Sequence, residues 1–257
     1  MLSNMQIREV FHFYFLDRLL KLSDPGLYIL KGGVNLRFFF MSPRYSEDMD
    51  IDVLAGRVAT LKKNGYKILN ERAFRRSLRA FDIADIEIND PSKAKQTDTT
   101  QRFRCALVTS AGHRLPTRVE FSRRKGSKDG ESEIAFIDTE IARCYRKLAY
   151  RCAHYTGAAA VGQKLRALAG RPVTQARDVL DLAILIRGGH SPPAPWSKLL
   201  DEKDYAQALD CLMSLGWDDY AGQVVEFLND DSRAEFGDRP AWERLQNQVL
   251  NALTANA

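Results

Sequence analysis

Cysteine and histidine are scarce in this sequence, and their spacing argues against common metal and disulfide frameworks. The four cysteines are scattered without a Cys-x-x-Cys pair, and the four histidines do not cluster near them. Such spacing is typical of free thiols buried in a core rather than of a zinc site or a set of disulfides. The cysteines are Cys105, Cys144, Cys152 and Cys211.

Long hydrophobic runs are also missing. The apolar runs at residues 11–16 and 36–41 are short and flanked by charge, so neither has the length that a bilayer-crossing helix requires. The first residues lack the basic start, apolar stretch and small-residue cleavage site of a secretory signal. The sequence therefore predicts a cytoplasmic protein with no membrane segment.

The sequence contains enough apolar material for a core, arranged in two differently patterned parts. Its 257 residues are 45% hydrophobic, which suits one large domain or two modest ones. Short apolar or alternating runs predict strands in the first part, whereas the second part is helical almost to its end. We expect an α+β fold, with a small mixed sheet in residues 1–135 and a helical domain in residues 136–257. Besides the strand that carries Asp48 and Asp50, the predicted strands lie at 27–30, 83–88, 102–109 and 115–122, and the predicted helices include 5–22, 34–41, 139–154, 158–169 and 174–187.

The stretch at residues 44–53 has the strongest chemical character. Side chains on a strand alternate between faces, so its three aspartates, Asp48, Asp50 and Asp52, would share one face and its apolar residues the other. Carboxylates at this spacing raise one another's pKa unless a cation lies among them, and a hard divalent cation is the simplest candidate. A calcium loop fits poorly, because its required Gly and Glu positions hold Val53 and Ala59. The structural alternative is an edge strand with a solvated polar face.

A glycine pair precedes this strand. Gly32 and Gly33 follow a short apolar strand and open a predicted helix. Paired glycines let the backbone approach a ligand closely, and the N-terminus of a helix offers N–H groups to an anion. A plain tight turn is the structural alternative. Because the aspartate strand follows this helix, we expect the glycine turn and the carboxylates to be neighbours in the sheet.

Three further positions suit the same chemistry. Glu120 lies on an alternating strand, where it supplies a third carboxylate or simply faces solvent. Lys164 lies in an otherwise apolar helix, and Asp178 opens the next helix with Asp181 on nearly the same face. Taken singly, Lys164 is better explained as a surface lysine, and Asp178 as a favourable acid in a first helical turn.

Basic residues are unevenly distributed, although the net charge is only +5. Such clusters are usually solvated surface, but they also suit a phosphate-rich partner if the site itself handles phosphate. One cluster consists of Arg72, Arg75, Arg76 and Arg79, and the other of Arg114, Arg118, Arg123, Arg124, Lys125 and Lys128.

The order of these motifs resembles that of a known family. Gly-Gly, Arg-x-Ser-x-Asp-x-Asp, the acid of Val-Glu-Phe-Ser, a helical Lys and Arg-Asp-x-x-Asp-Leu follow one another between residues 28 and 186. This order is similar to that of the AbiEii/AbiGii-type nucleotidyltransferase toxins, which belong to the polymerase-beta-like nucleotidyltransferase superfamily. The match is most specific at residues 31–53.

The resemblance implies a role for each motif. The superfamily more often has Ser after the first Gly, and Gly33 at that position leaves the first phosphate contact to backbone N–H groups. By resemblance, the metal ligands are Asp48, Asp50 and Glu120. The implied nucleotide-binding residues are Gly32, Gly33, Ser46 and Lys164, and the implied catalytic residues are Asp48, Asp50, Lys164 and Asp178, with Lys164 and Asp178 contributed by the helical domain.

The activity that the resemblance implies is transfer of a nucleoside monophosphate from a nucleoside triphosphate to an RNA acceptor, with tRNA as the expected class. Two Mg²⁺ ions would assist the attack at the α-phosphate, and pyrophosphate would leave. Such a toxin blocks translation and growth in an abortive-infection or toxin–antitoxin system and is restrained by a cognate AbiEi-type antitoxin. Two alternatives stay open: a nucleotidyltransferase that modifies a small molecule such as an antibiotic, and a non-catalytic module that binds RNA or a partner. The basic clusters favour RNA over a cationic drug.

Overall fold

The computed structural model describes residues 2–123, 130–191 and 200–255. This part of the chain forms two compact units. The first comprises Met1–Phe39 and Tyr45–Tyr155, and the second comprises Phe40–Arg44 and Thr156–Ala257.

The first unit is built on a mixed sheet that has seven strands in the described residues, in the order β3-β4-β5-β2-β1-β7-β6. The strands are β1 (Tyr28–Lys31), β2 (Asp48–Val53), β3 (Ile83–Ile88), β4 (Thr100–Thr109), β5 (Arg114–Ser122), β6 (Ser132–Phe136) and β7 (Arg151–Tyr155). The α-helices are α1 (Asn4–Leu22), α2 (Gly32–Phe39), α3 (Val58–Asn70), α4 (Arg72–Leu78) and α5 (Thr139–Cys144).

Strand β2 is the central strand of this sheet. It pairs antiparallel with β1 and parallel with β5. Met49 and Ile51 on one face of β2 are fully buried. A strand anchored in this way has a fixed register, since a slip of one residue would exchange its two faces.

The chain changes to purely helical structure later than predicted. Residues 139–154 do not form one helix: α5 ends at Cys144, and β7 pairs with β6 and, through His154 and Leu30, with β1. Local sequence favours a helix here, but pairing with the sheet outweighs that preference. The units therefore divide after Tyr155 rather than near residue 135, and the sheet has two strands that the sequence did not predict.

Helix α1 is more deeply buried than an amphipathic surface helix. Besides its apolar residues, it buries Glu9 and His12, which both have partners. Glu9 accepts hydrogen bonds from Arg37 and from the hydroxyl of Tyr145, at 2.8 and 2.6 Å. His12 Nε2 lies 2.9 Å from the hydroxyl of Thr117 on β5. Pairing of this kind lets polar side chains occupy a core helix.

The second unit is helical. None of the described helices in the chain is long and apolar enough to cross a membrane. The four cysteines are free, as predicted, although Cys144 in the first unit is exposed rather than buried. The α-helices of the second unit are α6 (Gly157–Gly170), α7 (Ala176–Arg187), α8 (Glu202–Ser214), α9 (Trp217–Gln223), α10 (Asp230–Phe236) and α11 (Arg239–Ala255).

Candidate active site

Two aspartates project from one face of β2. Asp48 and Asp50 are half-buried, whereas Met49 and Ile51 are fully buried on the other face. The alternation predicted from the sequence is therefore present in the structure. It holds two carboxylates at a partly exposed position in the middle of the sheet.

Gly32 lies directly against Asp50. The β1–β2 ladder pairs Lys31 with Asp50, and α2 begins at the next residue, Gly32. Gly32 has a φ of +70°, and a Cβ atom there would lie 3.0 Å from Oδ2 of Asp50. Both the left-handed backbone and the close approach require glycine. The glycine turn and the carboxylates are thus neighbours, as their order in the sequence predicted.

Glu120 lies beside Asp50 on the adjacent strand. In the parallel β2–β5 ladder, Asp48 is the partner of Arg118 and Asp50 is the partner of Glu120. Partners across a ladder point to the same face of a sheet. Asp48, Asp50 and Glu120 therefore share one face, over two neighbouring strands.

Two arginines neutralise this group of carboxylates. Arg118 lies 2.6 Å from Oδ2 of Asp48, and its Nε lies 3.9 Å from Glu120. Arg102 on β4 forms an ion pair with Glu120. The cationic partner that the three carboxylates need is thus supplied by the protein itself. Sequence analysis placed Arg118 in a basic cluster and missed Arg102, whose signal is its alternation with the buried Phe103.

The third aspartate of β2 has a different environment. Asp52 is only 3% exposed. It accepts hydrogen bonds from Lys31 Nζ and, at 2.7 Å, from the hydroxyl of Tyr155. Neither partner was identified from the sequence, where the one available signal is the position of Lys31 next to the glycine pair. Asp52 is therefore a buried, paired carboxylate, distinct from the half-buried Asp48 and Asp50.

A cavity of about 490 Å³ opens beside Asp48 within the first unit. It lies on the β4–β5 side of β2, and both polar and apolar side chains line it. The charged residues that line it are Glu47, Asp48, Arg104, Arg114 and Arg118.

In the second unit, Lys164 and Asp178 belong to a buried ion cluster. Lys164 Nζ lies 2.9 Å from Oδ1 of Asp178 and 2.5 Å from Oδ2 of Asp181. Both aspartates are fully buried. Arg171 Nε lies 3.1 Å from Asp178, and Arg44 lies 2.9 Å from Asp181. Three cations thus surround two carboxylates.

The cluster keeps Asp181 ionised. Burial raises the pKa of Asp181, but the charges of Arg44 and Lys164 lower it by more, to about 2. The family resemblance implies a role for Asp178, and in the structure both Asp178 and Asp181 contact Lys164. Arg44 begins the Arg-x-Ser-x-Asp-x-Asp motif, and sequence analysis did not identify it as the partner of a buried acid.

The sequence as a whole matches one family. A model of the family described as nucleotidyl transferase AbiEii toxin, type IV TA system, matches residues 14–255. The chain belongs to the AbiEii toxin family. It is therefore a nucleotidyltransferase of a type IV toxin–antitoxin system, and the resemblance predicted from the motifs is confirmed. Family membership implies a nucleoside triphosphate substrate and an antitoxin partner.

Solved structures share the fold of this AbiEii family member. JHP933 from Helicobacter pylori is 18% identical with a TM-score of 0.55, and the match covers 99% of this chain and 96% of that one. MenT4, a nucleotidyltransferase toxin from Mycobacterium tuberculosis H37Rv, is 16% identical with a TM-score of 0.58, over 96% of this chain and 82% of that one. None of the curated proteins matches the chain. The predicted α+β nucleotidyltransferase fold is confirmed.

Asp48, Asp50 and Glu120 in this AbiEii chain carry side chains of the chemical type that binds divalent cations. Carboxylate oxygens are the ligands that Mg²⁺ prefers, and Gly32 keeps the space next to Asp50 free of a side chain. Within the described residues, no group of three or more His, Cys, Asp or Glu residues could hold a metal ion. Asp48 and Glu120 are engaged by arginines in this structure. Their role as metal ligands with Asp50 stays a prediction.

Ser46 has a structural partner in this arrangement. Its hydroxyl donates a hydrogen bond to the carbonyl oxygen of Asp48 at 2.8 Å. Such a local bond from a side chain to the backbone helps to order the start of β2. Contact of Ser46 with nucleotide phosphates stays a prediction, as does that of Gly33.

Proposed function

We propose that this AbiEii toxin is a Mg²⁺-dependent enzyme that transfers a nucleoside monophosphate from a nucleoside triphosphate to an RNA acceptor of the tRNA class. The modified RNA would no longer support translation, so growth of the cell would stop unless the antitoxin intervened. The observation that supports this proposal is the shared face of Asp48, Asp50 and Glu120 beside the Gly32 turn. The reaction takes place in the cytoplasm.

Each part of this face has a chemical role in the proposal. Asp48 and Asp50 would hold the metal, and Glu120 would complete its oxygen ligands in place of its present arginine contacts. Bound Mg²⁺ would supply charge stabilisation to the phosphate oxygens and acidify the attacking hydroxyl. The absence of a side chain at Gly32 lets the triphosphate approach the N–H groups at the start of α2, whose dipole favours an anion. These groups are fixed before the substrate binds, which is how preorganised dipoles assist phosphoryl transfer.

An RNA acceptor suits the distribution of positive charge. Arg104, Arg114 and Arg118 line the cavity beside Asp48. Phosphate contacts with such side chains supply much of the affinity for nucleic acids. In the other cluster, Arg75 is engaged by Asp85, whereas Arg72, Arg76 and Arg79 are exposed. The predicted basic residues Arg124, Lys125 and Lys128 lie outside the described residues.

The family resemblance also assigns Lys164 to the triphosphate and Asp178 to catalysis, and we retain both assignments as proposals. Lys164 is nearly buried and its Nζ contacts two carboxylates. Any phosphate that it binds would therefore compete with Asp178 and Asp181. This competition makes Lys164 a residue whose substitution affects both folding and activity, and the two effects must be measured separately.

The experiment that tests the proposal combines the purified protein with each α-labelled nucleoside triphosphate, total tRNA and either MgCl₂ or EDTA. We expect label on tRNA with Mg²⁺ and with one preferred nucleotide. Asp48→Asn and Asp50→Asn should abolish the label. Asp98→Asn, at an exposed acid that is not one of the three carboxylates on the shared face, should retain it.

The same samples separate the alternatives. Nucleotide binding that requires Mg²⁺ but gives no labelled RNA would reject the RNA acceptor and favour a small-molecule acceptor. A folded protein that binds no nucleotide would be a non-catalytic module. In a bacterial host without the antitoxin, induced wild-type protein should stop growth, whereas the Asp48→Asn variant should not.

A further inference from the structure

One of the charged residues that line the cavity beside Asp48 has no ion-pair partner in the part of the chain that the structure describes. The other charged lining residues are each within ion-pair distance of an opposite charge. Arg104 is exposed on β4, and no ion pair involves it among the described residues. The paired groups are Glu47 with Arg8 at 3.6 Å, Asp48 with Arg118 at 2.6 Å, and Arg114 with Glu87.

Arg104 also lies opposite another arginine. The β4–β5 ladder pairs Arg104 with Arg118, and it pairs the neighbouring Arg102 with Glu120. Opposite charges across a ladder are stabilising, as in the second pair, whereas like charges directly opposite each other are destabilising. An anion bound in the cavity would relieve the repulsion between Arg104 and Arg118. Because Asp48 already pairs with Arg118, the positive charge available to a phosphate in this cavity is that of Arg104.

The sheet order places this cavity on a defined side of the carboxylates. Strand β1 and the Gly32 turn lie on one side of β2, and β5 and β4 with Arg104 lie on the other. In transfer of a nucleotidyl group, the attacking and leaving oxygens are roughly in line, on opposite sides of the phosphorus. A triphosphate held at the Gly32 turn would direct its leaving pyrophosphate toward β1. The acceptor would then approach from the β5 side.

We propose that the cavity beside Asp48 is the acceptor site and that Arg104 binds a phosphate of the RNA strand there. This inference rests on the proposed transfer to RNA. A volume of about 490 Å³ is in the range of pockets that hold one small ligand, so the cavity takes the end of a single strand rather than a duplex. The excess charge is positive, which attracts a polyanion and repels a cationic drug. Asn89 on the rim offers an amide for a sugar or base contact.

The test compares RNA binding with nucleotide binding in variants of the full chain. A short fluorescein-labelled single-stranded RNA is titrated at several salt concentrations, and a fluorescent nucleoside triphosphate is titrated separately with MgCl₂. The variants are Arg104→Ala and Arg104→Glu. The matched control is Arg57→Ala, at an exposed arginine that follows the end of β2 and has no ion pair in the described residues.

We expect Arg104→Ala to weaken RNA binding about tenfold and Arg104→Glu to weaken it more, because one charge-assisted phosphate contact is lost or reversed. The association constant falls as salt rises, and the slope of its logarithm against the logarithm of salt concentration should be less steep by about 0.7 in Arg104→Ala, the value for one phosphate contact with a single strand. Nucleotide binding should be unchanged, and Arg57→Ala should match the wild type in both titrations.

Three results would overturn the inference. They are an unchanged RNA affinity in Arg104→Glu, an equal loss of RNA and nucleotide binding, and a wild-type protein with no affinity for RNA. The inference and the proposed function fail in different ways. Suppose that the wild type binds RNA but transfers no nucleotide, and that the Arg104 variants selectively lose the RNA binding. The transfer reaction is then rejected, and the RNA site is supported.

Discussion

Gly32 directly follows Lys31, the β1 partner of Asp50, and a side chain at residue 32 would press against the Asp50 carboxylate. A Cβ atom there would lie 3.0 Å from Oδ2 of Asp50, closer than most Cβ contacts. The Asp50 carboxylate can therefore occupy its position because residue 32, in the adjacent turn, has no side chain. A substitution at Gly32 should act on the site through that carboxylate as well as through the backbone.

We expect Gly32→Ala to abolish nucleotidyl transfer. The left-handed φ of +70° should cost about 1 kcal/mol of unfolding free energy, and the new methyl group should displace the Asp50 carboxylate. Gly112→Ala is the matched control, because Gly112 has a φ of +82° but nothing lies within 4 Å of its Cβ position. Thermal unfolding and transfer assays would test this. Equal activity in the two variants would show that the contact with Asp50 is unimportant.

The aspartates of β2 should separate into structural and functional residues. Asp52 is buried against Lys31 and Tyr155, so Asp52→Asn should lower the free energy of unfolding by about 3 kcal/mol, as expected when a buried ion pair is broken. Asp48→Asn removes a half-exposed pair and should cost under about 1 kcal/mol while abolishing transfer. Urea denaturation measures both. Similar stability losses in the two variants would contradict this division.

The acidic residues of the site were more predictable from the sequence than the residues that form ion pairs with them. Local alternation is enough to place Asp48 and Asp50 on one face, since a period of two belongs to any strand. Glu120 was assigned to the same site by family resemblance, and its position beside Asp50 depends on the pairing of β2 with β5. The partners of those acids come from distant segments, and no local pattern pairs Arg102 with Glu120 or Arg44 with Asp181. Such pairs depend on strand order and helix packing, which the sequence does not encode locally.

The late domain boundary has a related cause. Residues 151–155 form a strand because β1 and β6 offer backbone partners on both sides, not because the local sequence excludes a helix. Whether such a segment forms a strand depends on its partners in the tertiary structure rather than on its local sequence. The mistaken helix at 139–154 therefore moved the predicted boundary to residue 135, whereas the sheet continues to Tyr155.

Lys164 should be required for stability as well as for any contact with phosphate. Lys164→Met would leave Asp178 and Asp181 buried with less positive charge around them, and the free energy of unfolding should fall by about 3 kcal/mol. Lys164→Arg keeps the charge and should restore part of the loss. The exposed Lys203 provides a matched control as Lys203→Met. Full stability of Lys164→Met, together with loss of nucleotide binding, would show that Lys164 acts on phosphate alone.

The protein should become less stable as the pH falls below about 6.5, because His12 is protonated in the unfolded chain but stays neutral in the fold. It is 1% exposed and has a hydrogen bond with Thr117, whose own hydroxyl proton is donated to the carbonyl oxygen of Glu47 at 2.7 Å. His12 therefore donates through Nε2 in its neutral form and helps to hold the segment that leads into β2. Burial, assisted by the charge of Arg8, lowers the pKa of His12 to about 3.

Between pH 6.5 and 3 the unfolded chain therefore binds a proton at His12 that the folded protein does not. The contribution of His12 is complete above pH 6.5, and it is lost on acidification at about 1.4 kcal/mol of unfolding free energy per pH unit. His12→Gln should remove this dependence, whereas His113→Gln, at an exposed position, should leave it in place. Urea denaturation from pH 7 to pH 4 measures the slopes. Parallel curves for the wild type and His12→Gln would mean that His12 accepts a proton without unfolding, and that the link from Thr117 to Glu47 does not depend on its neutral form.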